Sequence, residues 1–242
     1  MNKITKSKEE IELIKKSAEI ANSCLPLLEN MLKKKDVREI DIAVQLKRKI
    51  RSMGGKIAFD PLVACGKRAS NIHAKPTKKL IQGLGYVDFG VSFKGYKVDL
   101  TVPFIKGEVG EKEKNMFEAL LKAYKIALKS IKIGVKCFSV FEKVDTYLRK
   151  NNFKMMHSLG HGIGKKVHEL PTIGVPKFKL KKIGKKKKEK LEIVRELKFE
   201  RNMIFTIEPG IYVKGVGGCR IENTFLLTDK LKALTKAKPI LC

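Results

Sequence analysis

No run of about 18 consecutive apolar residues occurs in this chain, so nothing in it is long enough to cross a membrane as a helix. The amino terminus, MNKITKSKEE, is charged and has no apolar stretch behind it to act as a signal peptide. Together these absences predict a soluble, cytoplasmic protein. Cys-x-x-Cys spacing is missing too. The five cysteines, Cys24, Cys65, Cys137, Cys219 and Cys242, are scattered and odd in number, which argues against a disulfide framework or a zinc ribbon and leaves reduced, packed thiols. Arginine is scarce, eight residues against 45 lysines, and aromatics make up 7% of the chain with no tryptophan. Readers of nucleic acid lean on arginine forks and stacking rings. The net charge of +28 is therefore read first as a solvated lysine surface, and only second as a contact for a polyanion such as RNA or the ribosome. No linker rich in Gly, Ser or Pro divides the 242 residues, and a hydrophobic content of 43% supports one sizeable core, so residues 1–242 are expected to form a single domain.

What is present is concentrated. Three of the four histidines, His157, His161 and His168, fall in MMHSLGHGIGKKVHELP, among Gly160, Gly162 and Gly164. A helix would set His157 and His161 on one face, but each glycine costs a helix interior about 1 kcal/mol, so an extended strand and a turn are expected. His168-Glu169 has no second histidine three residues on, so a helical H-E-x-x-H zinc motif is excluded. The segment reads as a metal or acid/base site.

Around it the pattern is helical, then stranded, twice over. Ser7 and Glu10 have capping-box spacing, and Ile11, Ile14, Ala18, Ala21, Leu25, Leu28 and Leu32 mark an amphipathic helix interrupted at Pro26. Asp36 is expected to cap a second helix running to about Met53 before Gly54-Gly55. A strand Ile57–Cys65 follows, then a hairpin of Tyr86–Phe93 and Tyr96–Ile105 turning at Lys94-Gly95. The order then repeats, with helices at Lys112–Ile131 and Ser139–Lys150, a break at Gly134, and strands to the end. The expected architecture is an α+β body of two related halves, residues 1–110 and 111–242, each a helix pair plus antiparallel strands, with a cleft between them. The run Lys177–Lys190, KFKLKKIGKKKKEK, is expected to be an exposed loop because like charges at that density repel.

Four carboxylates stand in apolar strands. Asp88 and Asp99 lie eleven apart across the hairpin and can face one pocket, where their mutual repulsion would raise one pKa unless a cation were present. Glu208 in FTIEPGIY and Glu222 in GGCRIENTFLL are costly to bury unless paired or ligating, and Arg220 is available to pair with one of them. With a histidine, this mostly oxygen donor set suits Mn²⁺, Fe²⁺, Co²⁺ or Zn²⁺ and can bridge two ions.

Taken in order, these segments resemble the creatinase/methionine aminopeptidase superfamily of "pita-bread" metallopeptidases. DFG…GYKVDLT matches its D-x-G…G-Y-x-x-D-x-T hairpin, Gly160–Pro171 its G-H-G-I-G…H-E-x-P, Thr206–Tyr212 its T-I-E-P-G-I-Y and Arg220–Glu222 its R-I-E. The resemblance covers nearly the whole chain and corresponds to the catalytic domain alone. It implies two divalent metal ions, with Asp88 on one, His161 and Glu208 on the other, and Asp99 and Glu222 bridging. It implies a catalytic set of His73, His168, Glu208, Tyr212 and Arg220, with His73, His157 and His168 towards a short peptide substrate. A metal-activated hydroxide would attack the peptide bond, and Glu208 or a bridging carboxylate would pass on its proton.

Within the superfamily, FDPLVACGKRASNIHAKPT has the spacing of the Xaa-Pro dipeptidase and aminopeptidase P pattern F-x-x-I-V-A-S-G-x-N-A-x-x-P-H, and so predicts cleavage of Xaa-Pro bonds. Removal of initiator methionine is the alternative. Arg68 and Ile72 replace that pattern's Asn and Pro, Val102 stands where an Arg usually follows D-x-T, and Asn223 replaces the Asp after R-I-E. Relatives that keep the fold but lose ligands act as binding modules for nucleic acid or ribosomes. All five ligand positions are intact here, which favours the enzyme.

Overall fold

The computed structural model of the protein describes residues 4–174, 192 and 194–242. The Lys177–Lys190 run lies outside the described residues.

Ser7 starts α1 (Lys8–Ser23) as expected: its hydroxyl accepts from the Glu10 N–H at 3.2 Å, and its own N–H donates to the Glu10 carboxylate at 2.9 Å. The helix breaks at Cys24 and resumes as α2 (Leu25–Leu32), whose first turn holds Pro26. Proline lacks the N–H that would bond the preceding turn, so it is tolerated only at such a restart. Helix α3 (Glu39–Ser52) corrects an expectation, because its cap is Arg38 and not Asp36. The Arg38 N–H is taken by Asp41 at 3.0 Å, and those of Glu39 and Ile40 by the carbonyls of Lys79 and Thr77, so the first orphan donors are satisfied without Asp36.

The strand expected over Ile57–Cys65 is two short ones, β1 (Lys56–Ile57) and β2 (Leu62–Cys65). Both pair antiparallel with β3 (Gly83–Phe93), at Lys56↔Ser92 and Leu62↔Asp88, and the residues between them include Pro61, which has no N–H to give the ladder. β3 and β4 (Tyr96–Lys106) form the expected hairpin. Lys94 and Gly95 turn it with φ of 48° and 85°, the two positive angles that a two-residue type I′ connection requires.

Helices α4 (Glu111–Ser130) and α5 (Cys137–Lys150) lie within two residues of their expected bounds. After them come β5 (Gly160–Gly162), β6 (Glu169–Ile173), β7 (Ile204–Ile207), β8 (Gly210–Val213), β9 (Gly217–Arg220), β10 (Asn223–Leu227), β11 (Leu231–Ala233) and β12 (Ile240–Leu241). One sheet runs β1-β3-β4-β12 with β2 beside β3; a second runs β11-β10-β7-β5-β6; β8 and β9 form a separate ribbon. Helices α1 to α3 cover the first sheet through Ile14, Leu28, Leu46 and Phe89, and α4 and α5 cover the second through Leu120, Val144, Phe205 and Phe225. Burying each such side chain contributes about 1.5–3 kcal/mol.

The two sheets are stitched together where β4 meets the start of β10. Thr101 and Glu222 exchange backbone hydrogen bonds of 3.2 and 3.0 Å, and Thr224 Oγ1 accepts from the Asp99 N–H and donates to the Asp99 carbonyl. That seam brings Asp99 and Glu222, 123 positions apart in the chain, to one place.

Candidate metal centre

Strand register sets the first two carboxylates. Asp88 pairs with Thr101, and Asp99 with Gly90, so the two aspartates are diagonal neighbours on one face of the hairpin. Both are buried. Burial first, and then the carboxylates of Glu222, Asp88 and Glu208, push the Asp99 carboxyl well above its ordinary value.

His161 sits in β5, extended as expected, between two glycines that the packing requires. A Cβ on Gly160 would come within 2.0 Å of the Thr206 carbonyl, and one on Gly162 within 2.0 Å of the Leu170 carbonyl. The His161 Nδ1 donates to the Gly162 carbonyl at 3.1 Å, which turns the Nε2 lone pair towards Glu208 Oε1 at 3.6 Å and Glu222 Oε1 at 3.9 Å. Burial, with His168 and His157 adding like charge, pushes its pKa down to about 3, so the imidazole is neutral and fit to ligate. The His168 ring centroid is 4.3 Å from that of His161. Burial, followed by the Asp88 carboxylate, pushes Glu222 up to about 7.

Asp99, His161 and Glu222 offer ligand atoms all within 4.8 Å of one another. Asp88 Oδ1, Asp99 Oδ1 and Glu222 Oε1 are buried with no hydrogen-bond partner among the described residues. Three carboxylate oxygens left bare beside a neutral imidazole are expensive to keep in a folded protein. A cation is the group that such a donor set fits, and hard divalent ions match its oxygens.

Arg220, available from sequence to Glu208 or Glu222, is given instead to Asp88, with Nη2 2.5 Å from Asp88 Oδ2. It also donates to Tyr212 Oη and, through Nε, to Thr101 Oγ1 at 3.2 Å, and its guanidinium lies 4.6 Å over the Tyr86 ring. Burial opposes its charge, but Tyr212, Asp88 and Tyr86 together hold its pKa well above the ordinary value. Burial keeps the Tyr212 phenol protonated, so it donates to His157 Nε2 at 3.1 Å, while His157 Nδ1 donates to the Ser158 carbonyl at 2.8 Å. Thr101 completes the chain by donating to Glu222 Oε2 at 2.9 Å. Thr101 was visible as the T of D-x-T; Tyr86 carried no signal beyond its β-strand.

A cleft of about 830 Å³ opens over these groups, lined by Asp88, Asp99, His161, Glu208, Arg220 and Glu222. His73, His157 and His168 are on its wall, and Phe59, Leu62 and Ile72 give it an apolar side. Tyr212 stands behind His157 and Arg220. Of the departures from the motif, Val102 is core packing, and the Asn223 amide is satisfied by Tyr124, Thr235 and Ala237.

Comparison with known proteins identifies the family and the fold. A family model described as metallopeptidase family M24 matches residues 12–229. The Xaa-Pro dipeptidase of Pyrococcus furiosus is 31% identical over 242 residues, 98% of this chain and 64% of that protein. The crystal structure of the prolidase from Pyrococcus horikoshii OT3 superposes with a TM-score of 0.84 at 30% identity, over 98% of this chain and 64% of that one. The chain thus spans just under two thirds of the length of these relatives. A methionine aminopeptidase from Thermotoga maritima matches with a TM-score of 0.80 at 22% identity, over 98% of this chain and 100% of that one, a likeness of fold. The α+β pita-bread architecture expected from the motifs is the one these structures share.

Proposed function

Because the chain belongs to metallopeptidase family M24, we propose that it is a two-metal exopeptidase that hydrolyses the amino-terminal bond of short peptides of the Xaa-Pro type. The observation that carries the metal half of this reading is the set of three buried carboxylate oxygens that have no hydrogen-bond partner among the described residues, beside the neutral His161 imidazole. Asp88 would hold one ion, His161 and Glu208 the other, and Asp99 and Glu222 would be shared. Bound there, two divalent cations supply an acidified water and a counter-charge for the oxyanion.

The chain's own residues do the rest. Arg220 fixes Asp88 through Oδ2 and so leaves Oδ1 for a ligand. Thr101 does the same for Glu222, taking Oε2 and leaving Oε1. Glu208 or one of the two shared carboxylates, all on the cleft wall, takes the proton from the attacking water and passes it to the leaving nitrogen. His168 and His73, on the cleft wall, donate to the scissile carbonyl and its tetrahedral successor. Tyr212 holds His157 in one tautomer.

The Xaa-Pro preference is supported by the Phe59–His73 spacing and by the relatives named as Xaa-Pro dipeptidase and prolidase. A tertiary X-Pro amide offers no N–H and a rigid ring, so the enzyme must recognise shape, and Phe59, Leu62 and Ile72 provide an apolar wall for it. The test supplies Mn²⁺, Co²⁺, Fe²⁺ and Zn²⁺ separately and compares Xaa-Pro with matched Xaa-Ala peptides. We expect kcat/KM to favour Xaa-Pro by more than ~10-fold, about 1.4 kcal/mol at the transition state. Faster cleavage of Met-Ala peptides than of every Xaa-Pro substrate would replace this specificity with that of a methionine aminopeptidase.

A further inference from the structure

His73 reaches the cleft wall on a loop that leaves β2 at Cys65 and returns to the start of α3 at Thr77. Away from the metal centre, one carboxylate closes that loop. Glu39, the first residue of α3, is 0% exposed, and its Oε2 accepts from the Thr77 N–H at 2.9 Å and the Thr77 hydroxyl at 2.7 Å. Its Oε1 accepts from the Cys65 N–H at 3.3 Å and from Arg68 Nε at 3.4 Å. Arg68 then crosses the loop, donating from Nη2 to the Lys75 carbonyl at 2.7 Å, two residues from His73. Beneath the tip, the Tyr86 hydroxyl lies 2.7 Å from the Asn71 carbonyl and 3.1 Å from that of Ile72.

We propose that Arg68, anchored on buried Glu39, is the positioning residue for His73. The proposal rests on the reading of His73 as a substrate-facing group. Arg68 stands where the related motif has an asparagine, and its planar fork can meet Glu39 and the Lys75 carbonyl at once, which a shorter amide cannot. Without Arg68, Glu39 keeps Thr77 N, Thr77 Oγ1 and Cys65 N as donors but loses the guanidinium that balances its buried charge, so some loss of stability accompanies the loss of positioning and the test has to separate the two. Also lost is the tie across the loop beside His73. A small misalignment of a catalytic donor is enough to cost one to two orders of magnitude in rate.

A double-mutant cycle on the metal-loaded protein tests this, with Arg68→Ala, His73→Ala and the double variant assayed on one Xaa-Pro peptide. Each single variant is expected to lower kcat about tenfold or more with KM changed less. The double variant should be no more than about twofold slower than His73→Ala, and Arg68→Ala should keep its metal content and stay folded at the assay temperature although its unfolding midpoint falls. Multiplicative losses in the double variant, or full kcat in Arg68→Ala, overturn the proposal. If His73→Ala itself turns over normally, or no peptide is cleaved at all, the functional reading has failed. The positioning role is then decided by the imidazole ¹H–¹⁵N resonances of His73: a shift in Arg68→Ala supports it, and an unchanged spectrum overturns it.

Discussion

Glu222 and Asp99 are the residues at which repulsion and ligation are most nearly balanced. Each is buried, each has an oxygen without a partner among the described residues, and each is pushed towards its neutral form by burial and by neighbouring carboxylates. Asp99→Asn or Glu222→Gln should therefore cost metal and activity together while the helices persist; elemental analysis with circular dichroism reads both, and full metal occupancy with full turnover would refute the two-metal assignment. The same pair makes the metal-free protein pH-sensitive. Glu222 titrates near 7 when folded against 4.5 as its reference. Below about pH 4.5 both folded and unfolded forms hold the proton, and the group contributes nothing. Between 4.5 and 7 only the folded form retains it, so stability falls as pH rises, by on the order of 3 kcal/mol for Glu222 alone, and Asp99 acts in the same sense. Urea unfolding of chelator-treated protein should show a lower midpoint at pH 8 than at pH 5, and added divalent metal should restore it at pH 8. A metal-free midpoint that rises with pH would contradict this account of the carboxylates.

At the scale of elements, β5 is the most constrained piece, three residues packed between β6 and β7 with a ligand candidate in the middle. Gly162→Ala would place a methyl 2.0 Å from the Leu170 carbonyl and 3.0 Å from Pro171 N, which are backbone atoms with no rotamer to yield. The strand must shift, and overpacking of that kind costs roughly 1–3 kcal/mol. Metal affinity is expected to fall along with the thermal midpoint, since His161 moves with the strand. Unchanged metal binding would show that β5 accommodates the methyl without displacing its histidine. The sequence announced this strand through its glycines, and the β3–β4 hairpin through Lys94-Gly95. It misplaced the cap of α3 because the donors there are satisfied by Thr77 and Lys79, residues some forty positions away that no local pattern connects to Arg38.

Across the whole molecule, the proposed ligands come from both sheets, Asp88 and Asp99 from the first and His161 and Glu222 from the second or its edge, joined at the Thr101–Glu222 seam. We expect residues 1–242 to unfold as one cooperative unit, with calorimetric and van't Hoff enthalpies agreeing and the midpoint rising with metal concentration. Two separate transitions, only one of them metal-dependent, would show the sheets to be independent. The amino-acid sequence alone determined the residue types of the centre, the helix pairs, the hairpin and the family, because periodicity, turn chemistry and spaced motifs are local and additive along a chain. Only the tertiary structure decided who pairs with whom. Arg220 lies two residues from Glu222 in sequence yet binds Asp88, 132 positions away, and Glu222 accepts its hydrogen bond from the Thr101 hydroxyl, 121 positions away. Successive strand residues face opposite sides of a sheet, so proximity in sequence assigns no partner; the antiparallel register and the seam between sheets assign it, and they exist only once both cores have formed.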